Sequence, residues 1–235
     1  MAKNVTLILP SIPRALLAHV APMALFLGLQ VLPGWLRVDN ELLPWYRRAP
    51  EHWVYPLQVL LCGLLLWRWR GEYRLGPWVR LRLASNLGML GVVFWVLLGG
   101  WLGGERGAGF DPAQASSEPM GQGMVLALRL LRLVLVVPLV EELFWRGWLL
   151  RFVQAGSRWQ QQPMGRHDWS SFLTLAGFLM LAHDWRDAPA VLVWVSLMQW
   201  LWVSTRSLGV CVLMHAAGNA LLGLWIVHGQ HWGWW

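Results

Sequence analysis

Two adjacent carboxylates and an arginine, Glu141, Glu142 and Arg146, interrupt a run that is otherwise apolar from Val134 to Leu150. A charge at the centre of a membrane helix costs about 2.5–3.5 kcal/mol on insertion scales, so such groups face a bundle interior or a wet cavity. The spacing of four puts Glu142 and Arg146 on one helix face, where they can pair. Glu141 points about 100° away and is free for another role. Pro138 removes one backbone hydrogen bond just before the two acids and is expected to bend the helix there. A structural ion pair accounts for one acid and the arginine. It leaves the second acid unexplained.

A second group is His215-Ala216-Ala217-Gly218-Asn219, inside the last apolar block. Its spacing of four places His215 and Asn219 on one face, and the small residues between them allow a neighbour or substrate to approach. A third is His183, followed by Asp184. Alone, each reads more readily as interhelical hydrogen bonding than as catalysis. Depth joins them. At about 1.5 Å per residue, Glu141 lies about 15 Å from a helix end near Arg151, His183 about 18 Å from a start near Ser171, and His215 and Asn219 about 10 and 16 Å from a start near Leu208. With alternating spans those ends share one side of the membrane, so the polar groups fall in a common slab.

The elements that carry them are membrane helices. Of the 235 residues, 57% are hydrophobic and 13% charged; a soluble domain carries about twice that charge. Apolar blocks fall at about 12–33, 53–67, 83–102, 123–153, 171–184, 190–205 and 208–228, and a span needs about 20 residues. The fold class is therefore all-α, a polytopic transmembrane bundle of about 6–8 helices with its polar site inside the membrane. The net charge of +7 comes from arginines (Lys3 is the one lysine) that lie between apolar blocks and form no contiguous stripe. They suit phospholipid headgroups and cytoplasmic loops, and nucleic acid is not a partner. The arginine-rich segments after residues 67 and 150 point to the cytoplasm, with the N-terminus inside, although Arg37, Arg47 and Arg48 would then lie outside. Cys62 and Cys211 have no metal-ligand spacing and read as small buried hydrophobes. The Gly-rich stretch 99–109 lacks phosphate-loop spacing and reads as a connector.

At the polar residues the chain resembles the CPBP family of intramembrane endopeptidases, which includes the CAAX prenyl endopeptidases. The family pattern is EExxxR, FxxxH and HxxxN or HxxxD, each on a membrane helix. Glu141-Glu142-Leu143-Phe144-Trp145-Arg146 matches the first and His215 through Asn219 the third. The second is a partial match: Leu179 stands where the family has Phe, with Phe178 adjacent as a packing substitute. The resemblance divides the chain into N-terminal helices and loops (1–120), a catalytic core (121–228) and a Trp-rich tail (229–235).

What the resemblance implies is a Glu-activated water attacking a peptide bond, with Glu141 as base and His183 helping to hold the water. His215 and Asn219 would stabilise the oxyanion, and Glu142 with Arg146 would support the site. An alternative within the same resemblance makes Glu141, His183 and His215 ligands to a zinc ion; no other cofactor is implied. The partners implied are the lipid bilayer and a protein or peptide substrate, lipidated or not, and the expected location is the bacterial inner membrane. Two other classes compete: a transporter or proton relay using buried Glu and His, and a noncatalytic family member acting as a membrane scaffold.

Overall fold

A computed structural model describes residues 13–40, 42–102, 106–107 and 109–235. Lys3, and the part of the Gly-rich connector at 103–105 and 108, lie outside the described residues. The helices are α1 (Arg14–Leu36), a short α2 (Trp45–Arg48), α3 (Glu51–Arg68), α4 (Leu81–Trp101), α5 (Pro119–Gln161), α6 (Trp169–Ala182), α7 (Ala188–Thr205) and α8 (Leu208–Gly229). No strand occurs among the described residues. Among the described residues, five helical segments are long and apolar enough to cross a membrane: α1, α4, α5, α8, and Trp185–Thr205, which contains α7. This is an integral, multi-pass membrane protein. Helices dominate because each one satisfies its own backbone donors and acceptors, which lipid cannot do.

Helix ends follow local chemistry. Asp168 caps α6 by accepting from the Ser171 N–H at 2.9 Å. The Ser170 hydroxyl, and after it that backbone bond, hold its carboxyl below the usual range. Ser207 caps α8 through the Val210 N–H. Arg206 and Gln230, both at positive φ, end α7 and α8.

The fourth apolar block is longer than its sequence reading, because winding runs from residue 119 to 155 and, after a break at Gly156 (φ 56°), a short 3-10 stretch continues to 161. Pro138 does not break it. Widened π-helical stretches at Arg132–Val136 and Leu143–Leu149 flank the ordinary turns Val137–Glu142. The first of these stretches spans the turn where the proline ring and its missing N–H disturb the regular ladder. The second contains Arg146, which keeps its i,i+4 pairing with Glu142.

The helices before and after residue 120 share one core. Met23, Cys62 and Ala84 belong to the same buried cluster as Val140, Leu175, Met198 and Met214. Cys62 and Cys211 are buried free thiols within it. Helices α4 and α8 approach each other closely. A Cβ added at Gly88 would sit 2.2 Å from the Met214 carbonyl oxygen, and one at Gly218 would sit 3.1 Å from the Gly88 carbonyl oxygen. Small residues let the two backbones touch, which brings His215 and Asn219 to the inside of the bundle.

Candidate active site

The second carboxylate of the pair is a hub. Glu142 is 2% exposed, which makes its partners decisive. Its Oε2 accepts from Arg146 Nη1 at 2.5 Å, and its Oε1 meets His215 Nδ1 at 2.9 Å. The i,i+4 pair read from sequence is present, and it also reaches across to α8. With Nδ1 on a carboxylate, the other ring nitrogen of His215 is left for a ligand.

His183 does not lie inside a helix, as its apolar block had suggested. It is the residue that ends α6, in extended conformation, and its Nδ1 lies 2.7 Å from the Leu179 carbonyl oxygen. A ring nitrogen facing a carbonyl oxygen must donate, so Nδ1 carries a proton and Nε2 is the ring nitrogen left to meet a ligand. Asn219 donates one amide hydrogen to the Leu133 carbonyl oxygen at 2.8 Å. Its second amide hydrogen and its carbonyl oxygen make no other hydrogen bond within the described chain. The Leu133 carbonyl lies in the first π-helical stretch of α5, where the regular ladder is disturbed.

All these groups meet at one cavity of about 450 Å³. Glu141, Glu142, Arg146, His183, His215 and Asn219 line it together. Its aromatic walls were not foreseen. Trp95 of α4 packs edge-on to His183 with ring centres 5.3 Å apart, and Trp194 of α7 does the same to His215 at 5.5 Å. Leu179 is buried and lines the cavity, whereas Phe178 is half exposed and packs toward Trp145. The missing Phe is therefore replaced by tryptophans from other helices and not by its neighbour.

Two further features escaped the sequence reading. Buried donors lack partners: Arg146 Nε and Nη2 and Trp145 Nε1 find no acceptor within the described chain, and both residues line the cavity. Buried donors without acceptors are rare in folded proteins, and a ligand or water is the usual answer. The Trp-rich tail also folds back over the site. Gly233, Trp234 and Trp235 line the cavity, the Arg106 guanidinium lies 3.5 Å from the centre of a Trp234 ring, and Arg106 pairs with Asp187 at 2.6 Å.

Arg129 and Arg132, the cations further along α5, are buried and stack on aromatic rings. Arg132 also binds the side-chain oxygens of Gln58, at 2.5 Å, and Gln30. They brace α1 and α3 against α5, and Gln30 reaches the cavity wall.

The zinc expectation finds no support in the geometry. Among the described residues, no three His, Cys, Asp or Glu side chains come together as a metal-binding group. Glu141, His183 and His215 share a cavity wall but do not form such a group.

Residues 123–221 match the family model described as type II CAAX prenyl endopeptidase Rce1-like. This stretch of the chain is similar to that family. It contains Glu141, Glu142, Arg146, His183, His215 and Asn219 and covers less than half of the chain. No curated protein and no solved structure matches the chain. The family is one of CAAX-type proteases, and the matched stretch supplies many of the residues that line the cavity.

Proposed function

We propose that this protein is an intramembrane endopeptidase that hydrolyses a peptide bond of a membrane-associated protein or peptide without a metal ion. The observation that carries the reading is the shared cavity: two carboxylates, two histidines and an asparagine from α5, α8 and the end of α6 face one space. The carboxylates, Glu141 and Glu142, have distinct environments. Glu142 is committed to Arg146 and His215 on both oxygens. Glu141 makes no hydrogen bond within the described chain and is the group free to act as base.

The chemistry then divides as follows. A water held by the Nε2 lone pair of His183 loses a proton to Glu141 as its oxygen attacks the carbonyl carbon. Negative charge develops on the former carbonyl oxygen. A protonated His215, with Nδ1 on Glu142, turns Nε2–H toward it, and the second amide hydrogen of Asn219 does the same. Glu141 returns the proton to the leaving nitrogen as the carbon–nitrogen bond breaks. The unpartnered N–H groups of Arg146 and Trp145 suit the polar backbone of an extended substrate.

The polar groups gather at one cavity, while Arg129 and Arg132 are stacked on aromatic rings and Arg132 is held by Gln30 and Gln58, which favours hydrolysis over a relay through the membrane. A bacterial inner-membrane location belongs to the same reading. The test is proteolysis in reconstituted vesicles, using a prenylated CAAX reporter peptide and its unprenylated counterpart. Glu141→Gln is expected to lower the cleavage rate by about 10²–10⁴-fold while the protein remains folded. Cleavage at the normal rate by that variant would remove Glu141 from its role. Failure to cut either peptide would count against a CAAX-type substrate.

A further inference from the structure

A second cavity, of about 300 Å³, opens at the other end of the same helices. It lies between the first turns of α1, the loop after α3, the end of α5 and the start of α8. His19, Glu72, Arg74, Arg151, Trp159 and Gln160 are among the residues around it. Proteolysis uses none of them, and Gly147 of the wall belongs to the π-helical stretch that carries Arg146 to the catalytic cavity.

Its charge is unbalanced. Glu72 is the one acid in the lining, and its Oε1 is engaged by Arg14 at 3.0 Å. Arg151 is buried, yet among the described residues it forms no ion pair. Its donors go to neutral backbone oxygens, those of Gly147, Gln160 and Gln162, at 2.9 to 3.2 Å. Arg74 is exposed and likewise forms no ion pair among the described residues. Two uncompensated guanidinium groups therefore face one polar space. Holding an arginine cation out of water without a counter-charge is unfavourable unless an anion arrives from elsewhere.

The surroundings suit a ligand drawn from the membrane interface. Trp159 lies under the Arg151 guanidinium, 5.3 Å from its carbon, and packs edge-on to His19. Tyr73 also packs edge-on to His19 and ties the loop to α1 by donating to the Ala18 carbonyl oxygen at 2.9 Å. Arginine and amphipathic aromatics at span ends are the side chains that meet lipid headgroups. A phosphate offers oxygens in several directions and can be gripped by arginines from separate segments at once.

We infer that this cavity binds a phosphate oxyanion, from a phospholipid headgroup or a soluble phosphate, between Arg74 and Arg151. The inference is independent of proteolysis, and its readout is binding. The full-length protein in neutral detergent would be titrated calorimetrically with inorganic phosphate and with short-chain phosphatidic acid. Arg74→Glu, on the exposed loop, and Arg151→Gln are expected to weaken binding by about tenfold or more. Arg82→Glu, an exposed change away from the cavity, should leave it unaltered. Melting temperature and elution volume confirm that each variant is folded. Lipid binding that phosphate fails to displace assigns the site to a headgroup held together with its chains. Phosphate binding alone assigns it to a soluble anion, and mutual competition to the phosphate common to both. Absence of binding by either probe, or binding indifferent to Arg74→Glu, overturns the inference.

Discussion

Glu142 gives each of its oxygens to a different partner, so its charge is spent on holding Arg146 and His215 in place. Removing a partner and removing the pair should differ sharply. Arg146→Ala strips one counter-charge from a buried carboxylate and is expected to cost about 3–5 kcal/mol, read as a lowered midpoint in thermal melting. Glu142→Gln with Arg146→Met replaces the ion pair by neutral groups of similar volume and should restore most of that midpoint. Activity should not return with it, because the carboxylate behind His215 is gone; a loss of about 10²-fold or more is expected. Recovery of both would mean that the pair is only a strut. At this scale the sequence was informative: the i,i+4 spacing paired Glu142 with Arg146 and left Glu141 apart. The committed atoms were not legible. The His183 bond to Leu179 and the Asn219 bond to Leu133 depend on where a helix stops and where another widens. No residue type records either.

The element that positions the site most tightly is the contact of α4 with α8. Gly88 lies against the backbone of Met214, one residue before His215, so a methyl group there has no soft side chain to displace. Gly88→Ala is expected to push α8 outward, costing about 1–3 kcal/mol and weakening catalysis through His215 and Asn219 together. Gly100, with open space around its added Cβ, is the matched control, and Gly100→Ala should leave activity and melting close to normal. Equal loss in both variants would point to helix composition in place of the contact. The seven apolar blocks announced most of the bundle, because twenty-odd apolar residues in lipid have few alternatives to a helix. The small residues beside His215 also announced a close neighbour. Its identity as α4 was not legible, since a glycine in an apolar run carries no address. The end of α6 was hidden for a related reason: His183 and Asp184 follow an apolar run without a Gly or Pro stop signal, and the turn becomes visible only with Asp187 seated against Arg106.

On the scale of the whole molecule, the candidate cavity is lined by segments far apart in sequence. Gly99 of α4 leaves room for Arg106, Asp187 and Trp234 to converge: a Cβ there would meet them at 2.7, 3.0 and 3.1 Å. Asp187 begins α7 just four residues after His183, so the Arg106–Asp187 pair fixes the turn that presents His183. The Trp234 ring covers Arg106 and belongs to a tail whose seven residues show no periodicity, which is why its return to the site could not be read from sequence. Long-range stacking of this kind leaves only a composition signal, a cluster of tryptophans. Trp234→Ala should remove a cation–π contact worth about 0.5–2 kcal/mol and loosen the turn. The expected result is a modest fall in melting temperature together with a several-fold fall in kcat. Trp234→Phe, which keeps a ring over Arg106, should recover most of both. If kcat stays normal in the alanine variant while stability falls, the tail is only a cover, and the Arg106–Asp187 pair sets the His183 turn without it.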